Sequence, residues 1–465
     1  MSKIKEACGV FGIYLDEKDK NDINVAEEAY LALYALQHRG QESCGIAVAI
    51  DEDNINYYKD TGLVPDVFNP MVMNHLQGGH IAIGHTRYGV QTDKGSSRDK
   101  AQPLISKYKR GSVSLAFNGA LTNSDSLRSS LQNAGAIFQT YDDSEIMLYI
   151  LAKERLSCHS LEDAVLRMMD KLKGAYSLVI MSGHKLIAAR DPVGFRPLCM
   201  GKLNNSIVFA SESCAFDSIG AEFIRDIAPG EVVVVSESGI EHHKKDNCGK
   251  TGACIFEYIY FARPDSIIDG ASVHEARKQA GRFLAEEHPV EADVVCGVPD
   301  SGLDAALGYS EYSGIPYGLA FIKNRYIGRT FIQPTQGQRE RAVQIKLNPL
   351  RASVKGKRVV LTDDSIVRGT TLMNTIRLLK NAGAKEVHLR ISSPPFTNPC
   401  YFGTDISSKE NLIACRMSVD EICRHIGADS LGYLSIENVK KIAVGANLDF
   451  CYGCFSGKYP IEIEE

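Results

Sequence analysis

The sequence predicts two domains of different fold class, a strand-rich α+β domain followed by an α/β domain with a parallel sheet. In the first half, short apolar runs separated by glycines and polar turns indicate strands, for example at 8–15, 80–89 and 112–121. After about residue 250, strand-like and helical segments alternate, which is typical of a parallel sheet with crossover helices. The length of 465 residues suits two or three domains.

Further segments of the first half fit the α+β pattern. Apolar residues on one face predict helices from about Ala26 to Leu36 and from about Ser144 to Leu156. Three more apolar runs, at 45–50, 175–183 and 207–213, are predicted strands. Strands therefore dominate the first domain.

The second half contains the alternating pattern. Leu372, Ile376 and Leu379 form one apolar face of a helix that Gly383 ends. The polar segment 241–252 is the predicted linker. The strand-like segments are 254–266, 292–299, 315–322, 357–365 and 386–395, and helices are predicted to begin at Ser301 and Thr370. The predicted domains are 8–240 and 253–465.

Composition excludes several classes of protein. Lys and Arg number 52 and Asp and Glu 57, so the net charge is 52 − 57 = −5, and there is no global basic field for nucleic acid or anionic lipid. No run approaches the length of a membrane span, and the first residues lack the apolar region of a signal peptide. We expect a cytoplasmic protein with no nucleic-acid or membrane partner, in which the 13 cysteines do not form disulfides.

The segment 359–371, VVLTDDSIVRGTT, is the most specific local signal. Its apolar strand ends in Asp363 and Asp364, and a helix follows whose first amides can bind an anion. Gly369 lets a phosphate approach the backbone. The carboxylates suit sugar hydroxyls or Mg²⁺. An acidic turn that caps the helix is the alternative, but the order of residues favours binding. The further hydroxyl donors are Ser365, Thr370 and Thr371.

This segment resembles the signature of the type I phosphoribosyltransferases. The resemblance implies that Asp363 and Asp364 hold the ribose diol of phosphoribosyl pyrophosphate (PRPP). It also implies that the loop 365–371, which includes Arg368, binds the 5′-phosphate.

Two other segments fit the same resemblance. The loop 297–302, GVPDSG, is a candidate for binding pyrophosphate, and by resemblance Ser301 lies at the Mg²⁺ site. The basic segment 323–350 includes Lys323 and Arg325 and reads either as a solvated loop or as a flap that closes over pyrophosphate. The corresponding segment of the family behaves as a flap.

Cys8 opens the first predicted strand. An N-terminal cysteine needs no separate base, because its own α-amine, with a pKa of about 7.7–8.0, accepts the thiol proton. Seven residues precede Cys8, so the amine exists only after cleavage between Ala7 and Cys8. Residues 1–7 are therefore a predicted propeptide. A small buried cysteine in a strand is the alternative.

Four other motifs are similar to those of glutamine amidotransferases of the N-terminal-nucleophile class, whose fold is an αββα sandwich. By this resemblance, Arg87 binds the glutamine carboxylate and Asp143 its ammonium group. The Asn118 side chain and the Gly119 amide form the oxyanion hole, and Arg39 supports the site. The motifs are QHRGQESCG at 37–45, GHTRYG at 84–89, FNGAL at 117–121 and YDDSE at 141–145.

Phe117 and Ala120 depart from the family pattern, which more often has histidine before the Asn-Gly pair and a polar residue after it. The oxyanion donors remain, so the departure concerns loop packing. Further matching segments are 174–180, ARDPVGFRPL at 189–198, ASES at 210–213 and EYIYFARPDS at 257–266.

Cys254, Cys400, Cys451 and Cys454 could hold a zinc ion or an iron–sulfur cluster, and their spacing does not choose between them. The Cys451–Cys454 pair also fits a redox pair or simple burial. Over 8–465, however, the chain resembles the glutamine PRPP amidotransferases, in particular the subgroup with a short propeptide and a 4Fe–4S cluster. That resemblance implies these four ligands. Cys248 competes with Cys254, and Cys44 is expected in the core.

The resemblance implies an enzyme that makes 5-phosphoribosylamine from glutamine and PRPP, the first committed step of purine synthesis. Mg²⁺ and the 4Fe–4S cluster are the expected cofactors, purine nucleotides the expected inhibitors, and a homotetramer or dimer the expected assembly. A sealed passage for ammonia between the two sites is a further hypothesis. Two alternatives are a nucleotide-binding regulator that has lost catalysis and a sugar-aminating amidotransferase, although neither accounts for both sets of motifs.

Overall fold

The computed structural model describes residues 8–88, 98–245, 249–324, 347–404, 406 and 408–463. The predicted propeptide, Cys248, and Arg325 with most of the predicted flap lie outside these residues. Within the described ranges, no helix has the length and apolar character needed to cross a membrane.

Two antiparallel sheets make up the centre of the first half. Their strands are β1 (Gly9–Tyr14), β2 (Ser43–Ala49), β3 (Ile55–Thr61), β4 (Ile81–Arg87), β5 (Leu104–Tyr108), β6 (Gly111–Leu121), β7 (Gly174–Met181), β8 (Leu186–Arg190), β9 (Cys199–Leu203), β10 (Ser206–Ala210), β11 (Glu222–Asp226), β12 (Glu231–Ser236) and β13 (Gly239–Lys244). One sheet has the order β11-β9-β10-β1-β4-β2-β3 and the other β13-β12-β8-β7-β6-β5.

The helices of the first half cover the outer faces of these sheets. They are α1 (Val25–Ala35), α2 (Val64–Val67), α3 (Pro70–His75), α4 (Ser124–Asn133), α5 (Asp143–Arg155), α6 (Leu161–Met169) and α7 (Cys214–Ile219). Val10 and Ile83 of one sheet share a buried core with Val179 and Leu186 of the other. Helices α1 and α7 pack on the first sheet, and α5 and α6 pack on the second. The predicted αββα sandwich is confirmed.

The second half is built on a parallel sheet of order β17-β20-β21-β22, as predicted. Its strands are β14 (Ala253–Cys254), β15 (Ile267–Ile268), β16 (Ala271–Ser272), β17 (Val294–Gly297), β18 (Phe321–Lys323), β19 (Leu347–Pro349), β20 (Arg358–Asp363), β21 (Glu386–Ile391), β22 (Ser430–Tyr433) and β23 (Phe450–Cys451). The other strands form three two-stranded ribbons, β14-β23, β15-β16 and β18-β19.

Helices cover both faces of the parallel sheet. They are α8 (Val273–Glu287), α9 (Leu303–Ser313), α10 (Arg351–Val354), α11 (Thr370–Asn381), α12 (Val419–Ile426), α13 (Ile436–Val439) and α14 (Gly453–Ser456). Helices α8 and α9 share a core with Val295 and Val360, and α11 and α12 share one with Val359 and Leu361. Short 3₁₀-helices lie at Glu17–Asp19, Lys409–Asn411 and Ile413–Cys415.

The prediction of a strand over 254–266 is correct only for Cys254 and wrong for the residues that follow it. Ala253–Cys254 is a short strand, and Glu257–Phe261 forms a π-helix. Aromatic and β-branched residues favour strands locally. Here the Arg277 guanidinium donates to the carbonyls of Tyr258, Tyr260 and Ala262, so these groups need no neighbouring strand.

Two further expectations need correction. Only Phe321–Lys323 of the region around 315–322 is a strand, and it pairs with β19 instead of the parallel sheet. Pro316 lacks the N–H that a central strand requires, and Tyr317 makes a single bridge to Val295. In the predicted linker 241–252, the first four residues belong to β13, an exposed edge strand where polar side chains are favoured.

Candidate active site

The main chain of Cys8 is held from two sides at the start of β1. Its N–H donates to Asn118 Oδ1 at 3.0 Å, and its carbonyl accepts from Arg39 Nε at 3.0 Å. Burial raises the pKa of the Cys8 thiol, whereas the charges of Arg87 and Arg39 and a hydrogen bond to the Tyr88 backbone act in the opposite direction. Burial thus favours the protonated thiol, which needs a base to become a nucleophile.

The two residues of the predicted oxyanion hole lie on β6, next to Cys8. Because Asn118 Oδ1 accepts from Cys8, the amide Nδ2 is the other end of that side chain, and it is buried with no hydrogen-bond partner among the described residues. An orphaned buried donor is costly, and is typical of a group that binds a transient charge. Gly119 has φ of +146°, and a Cβ there would lie 2.0 Å from the Ala175 carbonyl oxygen. Only glycine fits at this position.

Two side chains that the sequence analysis did not identify hold Phe117, the residue before Asn118. His85 Nε2 lies 2.9 Å from the Phe117 carbonyl oxygen, and Gln102 Oε1 accepts from the Phe117 N–H at 2.8 Å. Burial lowers the pKa of His85 to about 4, so the ring is neutral and Nε2 is assigned as the donor. The pairing of β6 with β5 ends at Leu115. Beyond that point, His85 and Gln102 bind the backbone N–H and carbonyl of Phe117 in place of a neighbouring strand.

The predicted glutamine-binding side chains lie around the same strand. Asp143 Oδ2 accepts from the Leu121 N–H at 2.8 Å. Arg87 Nη2 lies 3.5 Å from Asp142 Oδ2. Asp142, which the sequence analysis did not single out, also caps α5 by accepting from the Ser144 N–H. The structure thus brings a guanidinium and two carboxylates close to the oxyanion strand.

Arg39 is buried between two carboxylates that the sequence analysis also missed. It contacts Glu212 through Nη1 and Glu257 through Nη2, the latter at 2.9 and 3.0 Å. Glu257 also accepts from Arg196 Nη1 at 3.0 Å. Although burial opposes ionisation, His38 and Arg39 hold the pKa of Glu212 well below its usual range. We call Arg39, Arg196, Glu212 and Glu257 the buried charge cluster.

The segment 363–372 lines a cavity of about 330 Å³ at the carboxyl end of β20. Asp363 Oδ1 accepts from Ser301 Oγ at 3.3 Å and from the Asp364 N–H at 3.0 Å. Burial, and then the charge of Asp364, raise the pKa of Asp363 well above its usual range. The other lining residues are Phe256, Tyr260, Phe261, Phe396, Thr404 and Ile406.

The loop and helix beside these carboxylates have the features of an anion site. Gly369 has φ of +80° and precedes α11, whose N-terminus has no side-chain cap from the part of the chain that the structure describes. Its first amides are therefore available to a ligand. The structure places Ser365, Arg368, Thr370 and Thr371 around the same cavity. Lys323 lies instead at the 297–302 loop, where it pairs with Asp300.

The four predicted ligand cysteines converge near the junction of the two halves. Cys254 pairs in register with Cys451 across the β14-β23 ribbon. Burial raises the pKa of the Cys454 thiol, and Cys400, Cys254 and Cys451 raise it further. None of the four is in a disulfide. Across the part of the chain that the structure describes, no group of three or more His, Cys, Asp or Glu side chains is arranged so that it could hold a metal ion.

Comparison with known proteins defines the class. Residues 85–218 match the glutamine amidotransferase domain family, and residues 271–393 match the phosphoribosyl transferase domain family. The fold and the two sites therefore define a glutamine amidotransferase joined to a phosphoribosyltransferase.

Full-length relatives narrow this class to one family. The chain is 49% identical to the amidophosphoribosyltransferase of Methanocaldococcus jannaschii, with 98% of each chain covered. It is 46% identical to that of Bacillus subtilis, with 99% of this chain and 95% of the relative covered. The chain belongs to the amidophosphoribosyltransferase family, and the predicted function and enzyme class are confirmed.

Two solved structures agree with this assignment. One, described as the allosteric regulatory enzyme of purine biosynthesis, has a TM-score of 0.91 and 45% identity, covering 98% of this chain and 97% of that one. The other, glutamine PRPP amidotransferase from B. subtilis complexed with ADP and GMP, has a TM-score of 0.89 and 45% identity, with 98% of each chain covered.

The orphaned Asn118 amide leads to a prediction. Asn118→Asp keeps an acceptor for the Cys8 N–H but removes the Nδ2 donor. We expect glutamine-dependent synthesis to fall about 10²–10³-fold, the usual effect of losing one oxyanion donor. Synthesis from added ammonia should not change, because that reaction bypasses Cys8. Steady-state rates with each nitrogen source test this, with Asn133→Asp at the exposed end of α4 as the control. Equal loss with both sources would contradict the oxyanion assignment.

Proposed function

We propose that the chain makes 5-phosphoribosylamine by releasing ammonia at Cys8 and joining it to C1 of PRPP held at 363–371. The observation that carries the proposal is the pairing of two complementary sites in one chain. The first site holds the Cys8 main chain beside the Asn118 amide, a donor that has no partner within the described ranges. The second has paired carboxylates beside an uncapped helix N-terminus.

The glutaminase step uses residues of the first half. Once residues 1–7 are removed, the Cys8 α-amine accepts the thiol proton and the sulfur attacks the amide carbon of glutamine. The Asn118 and Gly119 N–H groups donate to the oxyanion that forms. When the C–N bond breaks, ammonia leaves with that proton, and a thioester remains. Water then hydrolyses the thioester to glutamate and regenerates the thiol.

The second step is displacement of pyrophosphate from C1 of the ribose by ammonia. Asp363 and Asp364 accept hydrogen bonds from the ribose hydroxyls, and the α11 amides with Thr370 and Thr371 hold the 5′-phosphate. Ammonia is a neutral nucleophile, so the site needs charge stabilisation of the leaving group more than a strong base. Lys323, beside the 297–302 loop, is placed to supply positive charge.

Magnesium fits the oxygen donors of this site. Asp363 and Asp364 are almost fully buried, and Ser301 Oγ touches Asp363. Burial and the charge of Asp364 raise the pKa of Asp363, and a bound cation would offset both effects. We propose that Asp363, Asp364 and Ser301 hold Mg²⁺, directly or through water. A bound Mg²⁺ would neutralise charge on the departing pyrophosphate.

A 4Fe–4S cluster fits the four cysteines better than a redox pair does. Four free thiols from three segments lie near one another, since the other three raise the pKa of Cys454, and each of the four cysteines is buried or partly buried. The Phe402 N–H donates to Cys400 Sγ at 3.4 Å, and the charge of Arg196 acts on both Cys254 and Cys400. Amide donors and a nearby cation suit an anionic cluster with thiolate ligands. We propose that Cys254, Cys400, Cys451 and Cys454 ligate it.

We also propose that ammonia passes between the sites without entering bulk water. The segment 402–404 supports an enclosed contact. A Cβ on Gly403 would lie 3.2 Å from the Gly119 carbonyl carbon, and Thr404 lines the PRPP cavity. One short segment therefore touches both the oxyanion strand and the second site.

We also propose that purine nucleotides regulate this chain and that it forms an oligomer. The B. subtilis structure is described as a complex with ADP and GMP, which supports feedback inhibition of this chain by purine nucleotides. We propose a homotetramer on the basis of the family resemblance. Sedimentation of the purified protein tests that assembly.

Cys8 provides the first test of the proposal. Cys8→Ala should abolish glutamine-dependent synthesis, because no other group forms the thioester. It should retain synthesis from ammonia at high pH, where ammonia is unprotonated. Product formation with each nitrogen source is the measurement, with Cys423→Ala as the control.

The active wild type should have the intact mass of residues 8–465. Loss of both activities in Cys8→Ala would mean that the cysteine is structural.

The paired carboxylates provide the second test. Asp363→Asn combined with Asp364→Asn should weaken PRPP binding about 10²-fold or more, since each charged hydrogen bond contributes about 1.5–3 kcal/mol. Calorimetric titration with Mg²⁺ and PRPP measures the effect. Asp420→Asn, on the exposed first turn of α12, serves as the control. Unchanged PRPP affinity in the double variant would refute the assignment.

The third test concerns the cluster. Protein purified without oxygen should be brown and contain iron and acid-labile sulfide. Cys451→Ser should lose most of both, because one of four ligands is gone. Cys415→Ser, at an exposed cysteine outside the four, should retain them. Metal analysis and visible absorption give the result, and stoichiometric zinc in place of iron would overturn the cluster proposal.

A further inference from the structure

The buried charge cluster joins the two halves of the chain beneath the glutaminase site. Arg39, Arg196 and Glu212 come from the first half, whereas Glu257 is the first residue of the π-helix in the second half. The four side chains are at most 2% exposed. Two guanidinium groups and two carboxylates balance in charge, so removal of one member leaves an uncompensated buried charge.

A continuous set of hydrogen bonds leads from Glu257 to the nucleophile. Glu257 accepts from Arg39 Nη2 at 2.9 and 3.0 Å, which makes the contact bifurcated over both carboxylate oxygens. The Nε of the same guanidinium donates to the Cys8 carbonyl at 3.0 Å. A guanidinium is planar, so fixing Nη2 and Nη1 also fixes the direction of Nε. The position of the Cys8 main chain thus depends on both Glu212 and Glu257.

From this geometry we infer that Glu257 is a positioning residue for Cys8, supplied to the glutaminase site by the phosphoribosyltransferase half. The inference rests on the proposed function of Cys8 as the nucleophile. Without the second carboxylate, Arg39 keeps only Glu212, which it shares with His38, and loses the contact that orients Nε toward Cys8. A displacement of about 1 Å at a reacting group can cost about 10²-fold in rate.

The segment that carries Glu257 also borders the second site. Tyr260 and Phe261 of the same π-helix line the PRPP cavity. Arg277 on α8 fixes the far end of this helix through three carbonyls. Glu257 therefore lies within one helical turn of residues that line the PRPP cavity, and the helix that carries Glu257 is part of the wall of that cavity.

The test is Glu257→Gln, which keeps the shape of the side chain and removes its charge. Two measurements report on Cys8: the steady-state rate with glutamine, and the rate at which the thiol is alkylated by the glutamine analogue 6-diazo-5-oxo-L-norleucine. We expect kcat with glutamine and the alkylation rate to fall about tenfold or more. The KM for glutamine should change less than about threefold, because Arg87 and Asp143 are untouched. Synthesis from ammonia should stay within about twofold of wild type.

Glu231→Gln is the matched control. Glu231 is also a buried carboxylate with two bonds to one arginine, Arg225. It lies on β12, which β8 and β7 separate from the Asn118 strand β6. The Glu231→Gln variant should leave both the steady-state rate with glutamine and the alkylation rate of Cys8 unchanged. If Glu257→Gln is insoluble, Glu257→Asp takes its place in the same measurements with the same expected results. Aspartate keeps the negative charge, but its shorter side chain does not reach Arg39 in the same way.

The outcomes separate the inference from the proposed function. A folded Glu257 variant that alkylates at the wild-type rate would overturn the inference, and so would equal loss of the glutamine and ammonia reactions. A wild-type protein that cannot use glutamine would instead refute the proposed function. Loss confined to the glutamine reaction, with the Glu231 control unaffected, would support both.

Discussion

The guanidinium group of Arg39 is the point on which the glutaminase site depends. It is buried between Glu212 and Glu257 and donates to the carbonyl of Cys8. Removing such a charge from water is expensive unless every donor finds a partner, and here one of the carboxylate partners belongs to the other half of the chain. The folded position of the Cys8 main chain is therefore coupled to the packing of one domain on the other.

The two sites solve different chemical problems with the groups that each fold provides. The sandwich offers a strand edge, where Asn118 and Gly119 can present N–H groups to a transient oxyanion. The parallel sheet offers a carboxyl edge, where a helix N-terminus and the acids Asp363 and Asp364 can hold a phosphorylated sugar. The segment 402–404 connects the two sites physically, because Gly403 lies against Gly119 and Thr404 lines the PRPP cavity.

How much of this could be predicted from sequence depends on the distance between partners along the chain. The segment 359–371 was predicted as a ligand loop because its strand, acids, glycine and hydroxyls are contiguous, and α11 begins at Thr370 as expected. The pairing of Arg39 with Glu257 joins residues 218 positions apart, and no local pattern reports it. Likewise, the strand propensity of 254–266 did not reveal that Arg277 would bind the carbonyls of a π-helix.

The central claim is that ammonia released at Cys8 reacts in the PRPP cavity of the same protein without first entering bulk water. The most direct measurement supplies glutamine labelled with ¹⁵N at the amide, together with PRPP and an excess of unlabelled ammonium at neutral pH. The isotope content of the trapped 5-phosphoribosylamine is then determined by mass spectrometry. The account predicts that nearly all of the product nitrogen is ¹⁵N. A product whose label is diluted to the ratio in bulk solution would contradict it.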